Sequence, residues 1–406
     1  MMTPLPPELF DLDPEILWVM HCAEGPVPRA AAAAVREFLP RETQPWTLRW
    51  QEDFLEIPRA TRQEAARVLG ARPADVTLTP TTSSGLVAIA QGWPWQPGDE
   101  VVVPLGEFPA NAWPWKALVA RGVSFRQVPL WDGHRAGAGA WESAPPPPGI
   151  DPESRLLAAL GPATRVLAVS WVRFQDGVLL DPARLAAGCA QRGVALVVDG
   201  IQGAGTLPIN LEGVAAFSTG GHKGLLAPQG LGILWTDGDF RARLIPTGSW
   251  LSVAEATEFS RPSTDLDRAW REDGCRLEQG VPNLVGCVAL RESLRLINRA
   301  GVDRIAAHVA ELGRQLIRGL ATMAHWRTEA RRLQGLHEAG RLGAIVSLYH
   351  GRRQAEGLDR ILRRGMERGI YASVREGYLR IAFHGWHTGD DVERLLEWLG
   401  ENDQEV

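Results

Sequence analysis

A lysine flanked by glycines is the first feature that suggests chemistry. Lys223 stands in Ser218-Thr219-Gly220-Gly221-His222-Lys223-Gly224, directly after an apolar strand pattern. Small neighbours let a bulky planar group approach the backbone. A lysine amine becomes a nucleophile toward carbonyls once burial lowers its pKa. Taken alone, the tripeptide around Lys223 reads as a solvated loop. A second signal lies upstream, in VVDGIQGAG (197–205). Asp199 closes a continuous apolar strand, where open α/β sheets place their ligands. A buried carboxylate needs a partner. A protonated pyridine nitrogen would satisfy it, and the pair would keep that ring electron-withdrawing. Gln202, one short turn on, is within reach of a phenolic oxygen on the same ring. An Asp that merely caps the next turn is an equal reading in isolation.

Two further segments add to this. In TPTTSSG (79–85), Thr81, Thr82 and Ser83 sit between a strand and a helix. A helix N-terminus offers free N–H groups and a positive dipole, and hydroxyls add donors, so the segment suits a phosphate. Simple N-capping is locally indistinguishable. In GEFPANAWPW (106–115), Phe108 follows a strand and could stack on a planar ring; a core aromatic is the alternative.

The elements that must position these residues run from about 76 to 236. Short apolar strands at 76–79, 100–104, 123–129, 165–171, 194–200, 214–219 and 230–236 alternate with helical stretches beginning near Ser83 and covering 112–120 and 182–192. Continuous apolar strands separated by helices predict a mostly parallel sheet covered on both faces. Pro145–Pro148 lie in a Gly/Ala/Pro-rich stretch that reads as a surface loop. From about 283 the character changes. Amphipathic patterns at 284–299 and 302–323 lead to a strand at 344–349, a helix at 353–368 and a strand at 378–383. A last helix is opened by Thr388 with Asp391 as its cap partner.

The 406 residues, 45% hydrophobic, are enough for a large core. A net charge of -5 and no Lys/Arg-rich run argue against nucleic acid. Cys22, Cys189, Cys275 and Cys287 form no CxxC pair or metal-ligand spacing, which predicts free thiols in a reducing cytoplasm and no metal site. The acidic, Pro-broken N-terminus lacks the pattern of a signal peptide. No apolar run approaches a membrane-spanning length. The sixteen tryptophans have no account beyond aromatic bulk in the core and around pockets.

Taken together and in this order, the segments resemble fold-type I pyridoxal-phosphate enzymes of the class V aminotransferase/cysteine desulfurase superfamily. The resemblance covers nearly the whole chain, and its most specific part is Asp199 to Lys223. It implies an α/β chain with a large domain, its mostly parallel sheet sandwiched by helices, and a smaller α+β C-terminal domain. The expected division is 1–25 as a segment joining the small domain and the active-site mouth, 26–270 as the cofactor domain, and 271–406 as the small domain.

By position, the resemblance implies a Schiff base of pyridoxal 5'-phosphate on Lys223, which later shuttles a proton. It pairs Asp199 with the pyridine nitrogen and Gln202 with the ring oxygen. It places Thr81, Thr82 and His222 on the phosphate side and Phe108 at the ring-stacking position, where desulfurases carry histidine. Arg380, in GYLRIAFHGWHT, matches the arginine that binds the substrate α-carboxylate in two parallel hydrogen bonds. A structural ion pair is the alternative for Arg380. A homodimer acting on a small amino acid is expected from the family.

The departures matter. Phe174 stands where desulfurases carry asparagine, with Gln175 beside it as a substitute donor. Val281 stands near a position where family members present a serine or threonine to the phosphate from the neighbouring subunit. No cysteine follows Cys287, so the thiol that desulfurases carry before the carboxylate-binding arginine is missing. Glu24 reads as a solvated turn acid at the active-site mouth, and Arg375 as a surface ion pair. Aminotransferase-type chemistry is the first expectation. A β-eliminating C–S lyase and an epimerase resembling the isopenicillin N epimerase group follow, and a catalytically silent scaffold is the alternative outside enzymes.

Overall fold

The computed structural model describes residues 3–135, 143–349 and 355–401. Its centre is a seven-stranded sheet. The spatial order is Val76–Thr79, Gly232–Thr236, Ala216–Gly220, Ala195–Asp199, Thr164–Ser170, Glu100–Pro104 and Ser124–Val128. Gly232–Thr236 pairs antiparallel with both of its neighbours, and the remaining pairs are parallel. Val101, Leu167, Leu196 and their strand neighbours are buried on both faces, as continuous apolar strands require. The α/β expectation holds. Six of the seven strands run in one direction, so Thr79, Pro104, Ser170, Asp199 and Gly220 all end at one edge.

Several elements depart from the sequence reading. The helix expected over 112–120 is one α-helical turn, Trp113–Lys116, continued as a 3-10 helix, Ala117–Arg121. Pro114 fits only a first turn, and Gly122 ends the segment in the left-handed region. Helices Arg29–Thr43 and Ile57–Leu69 went unread, and both pack on Leu284–Ala300. Helix Arg327–Glu338 was also missed. It is mostly polar, and its buried face is Ala330, Leu333 and Leu336 beside the Glu329–Arg332 ion pair. Part of the proline run is docked on it, because Arg332 Nη1 donates to the Pro146 carbonyl at 3.1 Å. Residues 136–142 of that stretch, and 353–354 of the helix read over 353–368, lie outside the described residues.

A second, antiparallel sheet joins Ser373–Arg375, Tyr378–Ala382 and Ile345–Tyr349, with Tyr378–Ala382 in the middle. The N-terminal segment runs alongside it. Leu17–Trp18 pairs parallel with Ile370–Tyr371, and Met20 bridges to Ala382. The Thr388 cap is present: Asp391 Oδ2 accepts from Thr388 N at 2.8 Å, and Thr388 Oγ1 accepts from Asp391 N at 3.3 Å.

Three distant segments fix the loop that carries Lys223. Gly25 N donates to the His222 carbonyl at 2.7 Å, and Ser293 Oγ to the Leu226 carbonyl at 2.8 Å. His384 Nδ1 accepts the Gly385 N–H, so its Nε2 carries the proton and donates to the Gly224 carbonyl at 2.9 Å. Gly25 is where the N-terminal segment comes closest, since a Cβ there would stand 2.2 Å from the Lys223 carbonyl oxygen. Backbone blocks that space, so Gly25→Ala forces the two segments apart. We expect it to lower unfolding free energy by about 1–3 kcal/mol, measured by denaturant unfolding. An unchanged midpoint would mean that the two segments are not tightly joined.

Candidate active site

The candidate residues follow the carboxyl ends of five strands. Thr81 and Thr82 come after Thr79, Phe108 after Pro104, and Phe174 after Ser170. Asp199 ends its own strand, and His222 and Lys223 come after Gly220. Parallel strands bring their carboxyl ends together, which gathers residues from 81 to 223 at one edge of the sheet. Arg380 arrives from the middle strand of the second sheet.

Asp199 is 1% exposed. Its Oδ1 accepts the Ile201 N–H at 3.0 Å, while Oδ2 is buried with no partner. Burial pushes its pKa up to about 7. The nearby Glu107 adds to the rise, and the Ile201 hydrogen bond and the Lys223 charge oppose it. Lys223 is the complementary case: burial lowers its pKa, Asp199 holds it up, and Arg380 lowers it further. Its Nζ lies 5.9 Å from the centre of the Phe108 ring. Asp199 therefore has an unpaired oxygen, and Lys223 is a desolvated amine within its field.

Gln202 is also buried and half-satisfied. Its Nε2 donates to the Cys22 carbonyl at 3.0 Å, and Oε1 has no partner. In this orientation its unpaired atom is an acceptor. Turning the amide end for end would supply a donor and give up the Cys22 contact. Gln175 is placed in a similar way. Its Nε2 donates one hydrogen to the Gly106 carbonyl at 2.8 Å, and its Oε1 is buried without a partner. Phe174 instead meets Phe108 edge-on, with ring centres 5.1 Å apart.

Thr81 caps the helix Thr82–Gly92: its Oγ1 accepts from Ser84 N at 3.0 Å. The capping alternative is thus realised, and Thr82 stands buried in the first turn with its carbonyl held by Ser218 Oγ at 3.0 Å. His222 is half-buried, and burial followed by the Lys223 charge lowers its pKa. Glu24 is partly buried and accepts from Gln229 Nε2 at 2.8 Å, with its pKa raised by burial. Arg375 is exposed and donates to the Val374 carbonyl; the expected ion pair is absent among the described residues. Val281 is exposed.

Arg380 is 3% exposed. Nε donates to Ser373 Oγ at 3.0 Å and Nη1 to the Phe174 carbonyl at 2.7 Å. Among the described residues no carboxylate pairs with it. A buried guanidinium without a counter-charge is costly, and burial lowers its pKa.

Sequence reasoning passed over two residues here. Cys22 was one of four scattered thiols, yet its carbonyl holds Gln202 and its Sγ lies 3.8 Å from Ser373 Oγ, beside the Arg380 anchor. Glu107 is the second. It accepts from Ser170 N at 2.9 Å, from Ser170 Oγ, and from Asn111 Nδ2 at 3.2 Å, and burial raises its pKa. Ser170 is the strand neighbour of Asp199, so Glu107 braces the strand beside it. The GEFPAN segment contained that acid and amide four residues apart, but nothing local told of Ser170.

These atoms fit a cationic aromatic ring. The orphaned Asp199 oxygen matches a protonated ring nitrogen, Lys223 matches an aldehyde, Phe108 can cover a ring face, and the start of the helix Thr82–Gly92 matches a phosphate.

The family model described as aminotransferase class-V matches residues 46–395. Isopenicillin N epimerase of Streptomyces clavuligerus is 28% identical over 96% of this chain and 95% of its own. A probable cysteine desulfurase of Methanothermobacter thermautotrophicus is 28% identical over 63% of this chain, a match that spans only 59% of that relative's length. Among solved structures, the cystine C–S lyase C-DES in complex with cysteine persulfide superposes with a TM-score of 0.79 at 23% identity, over 94% of this chain and 96% of that one. Among the described residues no helix is long and apolar enough to cross a membrane. With the family model covering most of its length, the chain belongs to the aminotransferase class-V family of pyridoxal-phosphate-dependent, fold-type I enzymes.

Proposed function

We propose that this enzyme acts on the Cα of an amino acid, with Lys223 as the residue that carries the cofactor and then moves the proton. The observation that supports this most is the placement of a desolvated Lys223 within the fields of two uncompensated buried charges, Asp199 and Arg380. Bound pyridoxal phosphate supplies an electron sink for a carbanion at the substrate Cα. Asp199 holds the ring nitrogen protonated, Phe108 covers the ring, and Thr81, Thr82 and His222 serve the phosphate side. Gln202 lies on the ring-oxygen side. Arg380 binds the substrate α-carboxylate and so directs the Cα–H toward Lys223 Nζ, whose low pKa suits it to accept the proton.

With the cofactor bound, Lys223 Nζ alone would take up and return the proton in an aminotransferase-type reaction, with water releasing the keto acid and no other protein acid or base required. Elimination of a β-substituent uses the same base. The missing cysteine after Cys287 and the Phe108 ring in place of histidine weigh against sulfur abstraction onto a protein thiol. Epimerisation is the second reading, and Cys22 is the observation that favours it. Inversion at Cα needs a second proton carrier, and Cys22 is a free thiol buried beside the Arg380 anchor. The likeness to isopenicillin N epimerase over nearly the full chain points the same way. We further read the chain as a homodimer. Phe259 and Leu266, 64% and 91% exposed, form with Trp250 and Trp270 an apolar surface unusual for a monomer.

The purified enzyme is expected to be yellow. Borohydride should fix the cofactor on Lys223, located by peptide mass, and Lys223→Ala should lose that adduct and about 10³-fold or more of activity, as expected for removal of a residue that binds the cofactor and moves the proton. An adduct at the same site in Lys223→Ala would refute the assignment. An amino acid panel then separates keto acid with pyridoxamine phosphate, keto acid with ammonia or thiol, and inverted stereochemistry.

A second expectation concerns the cofactor-free chain. The folded pKa of Asp199, about 7, lies above its ordinary 3.8. The folded state therefore binds more protons than the unfolded state between these values, and stability falls as pH rises from about 4 to about 7. Urea unfolding at several pH values should show this fall, and Asp199→Asn should flatten it. An equal slope in both proteins would remove Asp199 as its cause.

A further inference from the structure

Next to the site lies a cavity of about 360 Å³, lined among others by Gly106, Trp131, His134, Arg173, Phe174 and Gln175. Nothing in the roles assigned above uses it. Phe174 links it to the Arg380 anchor. That residue lines the cavity, meets Phe108 edge-on, and gives its carbonyl to Arg380 Nη1.

Three nitrogen atoms gather around Gly106 on its wall. Gly106 takes φ +70°, and a Cβ built there would stand 3.1 Å from Gln175 Nε2, 3.3 Å from Arg173 Nη2 and 3.5 Å from His134 Nε2. Glycine at this position lets the three nitrogens lie close together without a side chain among them. The hydrogen bonds behind each nitrogen fix its character. His134 Nδ1 accepts the Leu130 N–H at 3.1 Å, and the ring lies flat on Trp131 with centres 4.0 Å apart. Its proton is therefore on Nε2, and burial lowers its pKa to about 3, so the ring stays a neutral donor. Arg173, 2% exposed, spends Nε on both oxygens of Asp176 and Nη1 on the Leu105 carbonyl at 3.0 Å. None of the described hydrogen bonds uses its Nη2. Gln175 Nε2 holds the Gly106 carbonyl and keeps a second N–H.

Two of the three acids that line it are already committed: Asp176 faces Arg173, and Glu107 faces Ser170 and Asn111. What remains on this wall is a cluster of N–H donors, one of them on a guanidinium, with the unpaired Gln175 Oε1 beside them. Such a cluster selects an oxygen acceptor, and best a carboxylate. The volume, within the usual range for small-ligand sites, holds several non-hydrogen atoms.

We infer that this cavity is the side-chain subsite of the enzyme and receives the distal carboxylate of a dicarboxylic amino acid, with His134 and Arg173 as the residues that recognise it. The inference rests on the reading of Arg380 as the α-carboxylate anchor. The substrate then spans two guanidinium groups with Phe174 between them.

The test uses the wild-type holoenzyme and His134→Asn, whose side-chain oxygen keeps an acceptor for the Leu130 N–H and whose shorter side chain removes the Nε2 donor. Glutamate and 2-aminoadipate are titrated against glutamine and norleucine, with the cofactor absorbance as the readout of binding. The acids should bind about tenfold or more tightly than the neutral pair, the effect of one charge-assisted hydrogen bond. His134→Asn should lose that preference and keep its affinity for alanine. Equal affinity for acid and amide in the wild type would overturn the subsite, as would a preference that survives in His134→Asn. Calorimetry with glutarate and butyrate, which cannot react, tests the subsite even if the variant folds poorly. Glutarate should bind about tenfold more tightly, and equal binding would overturn the proposal. A holoenzyme that lacks the Lys223 adduct would instead refute the assignment of Lys223, leaving the glutarate result to decide the subsite.

Discussion

A carboxylate buried at the end of a strand, with one oxygen left unpaired, is the constraint on which the rest of the site depends. Asp199 loses water on folding and gains a single backbone hydrogen bond. Its charged form is costly until a cation arrives. The strand Thr164–Ser170 sets Ser170 beside it, and Glu107 braces Ser170. Lys223 sits within its field, itself desolvated. The strand ends bring these groups together, and the ties from Gly25, His384 and Ser293 hold the lysine loop in place. A site with two mutually dependent, desolvated charges suits a cofactor that brings both an aldehyde and a basic ring nitrogen.

Arg380 is the same logic in the opposite sign. Its guanidinium is oriented by Ser373 and by the Phe174 carbonyl, neither of which neutralises it. Among the described residues no carboxylate pairs with it. The strand that carries Arg380 also leads into His384, which reaches the Gly224 carbonyl. Arg380 and the lysine loop are therefore connected through one short segment, Arg380–His384.

Much of this was legible in the sequence where the signal is local. Continuous apolar runs such as 195–199 gave the parallel sheet, and the position of Asp199 at the end of one of them gave its place at the sheet edge. Thr388 and Asp391 gave a cap. The failures are of another kind. Cys22 lies 180 residues from Gln202 and 351 from Ser373, and only the fold brings them together. Glu107 reads as a loop acid until Ser170 is placed beside it. Gln202 and Gln175 were recognised as amides near the site, yet which end of each is free depends on the Cys22 and Gly106 carbonyls. Helix Arg327–Glu338 hides because an ion pair, not an apolar stripe, forms part of its buried face.

The claim at the centre of this account is that Asp199 keeps a ring nitrogen protonated. It is tested most directly by nitrogen NMR of the holoenzyme loaded with cofactor labelled with ¹⁵N in its ring. At a pH well above the ordinary pKa of the ring nitrogen, the wild-type signal should remain that of a protonated pyridine. In Asp199→Ala it should move to the position of the neutral ring. A neutral ring nitrogen in the wild type, or a protonated one that persists in Asp199→Ala, would contradict the account.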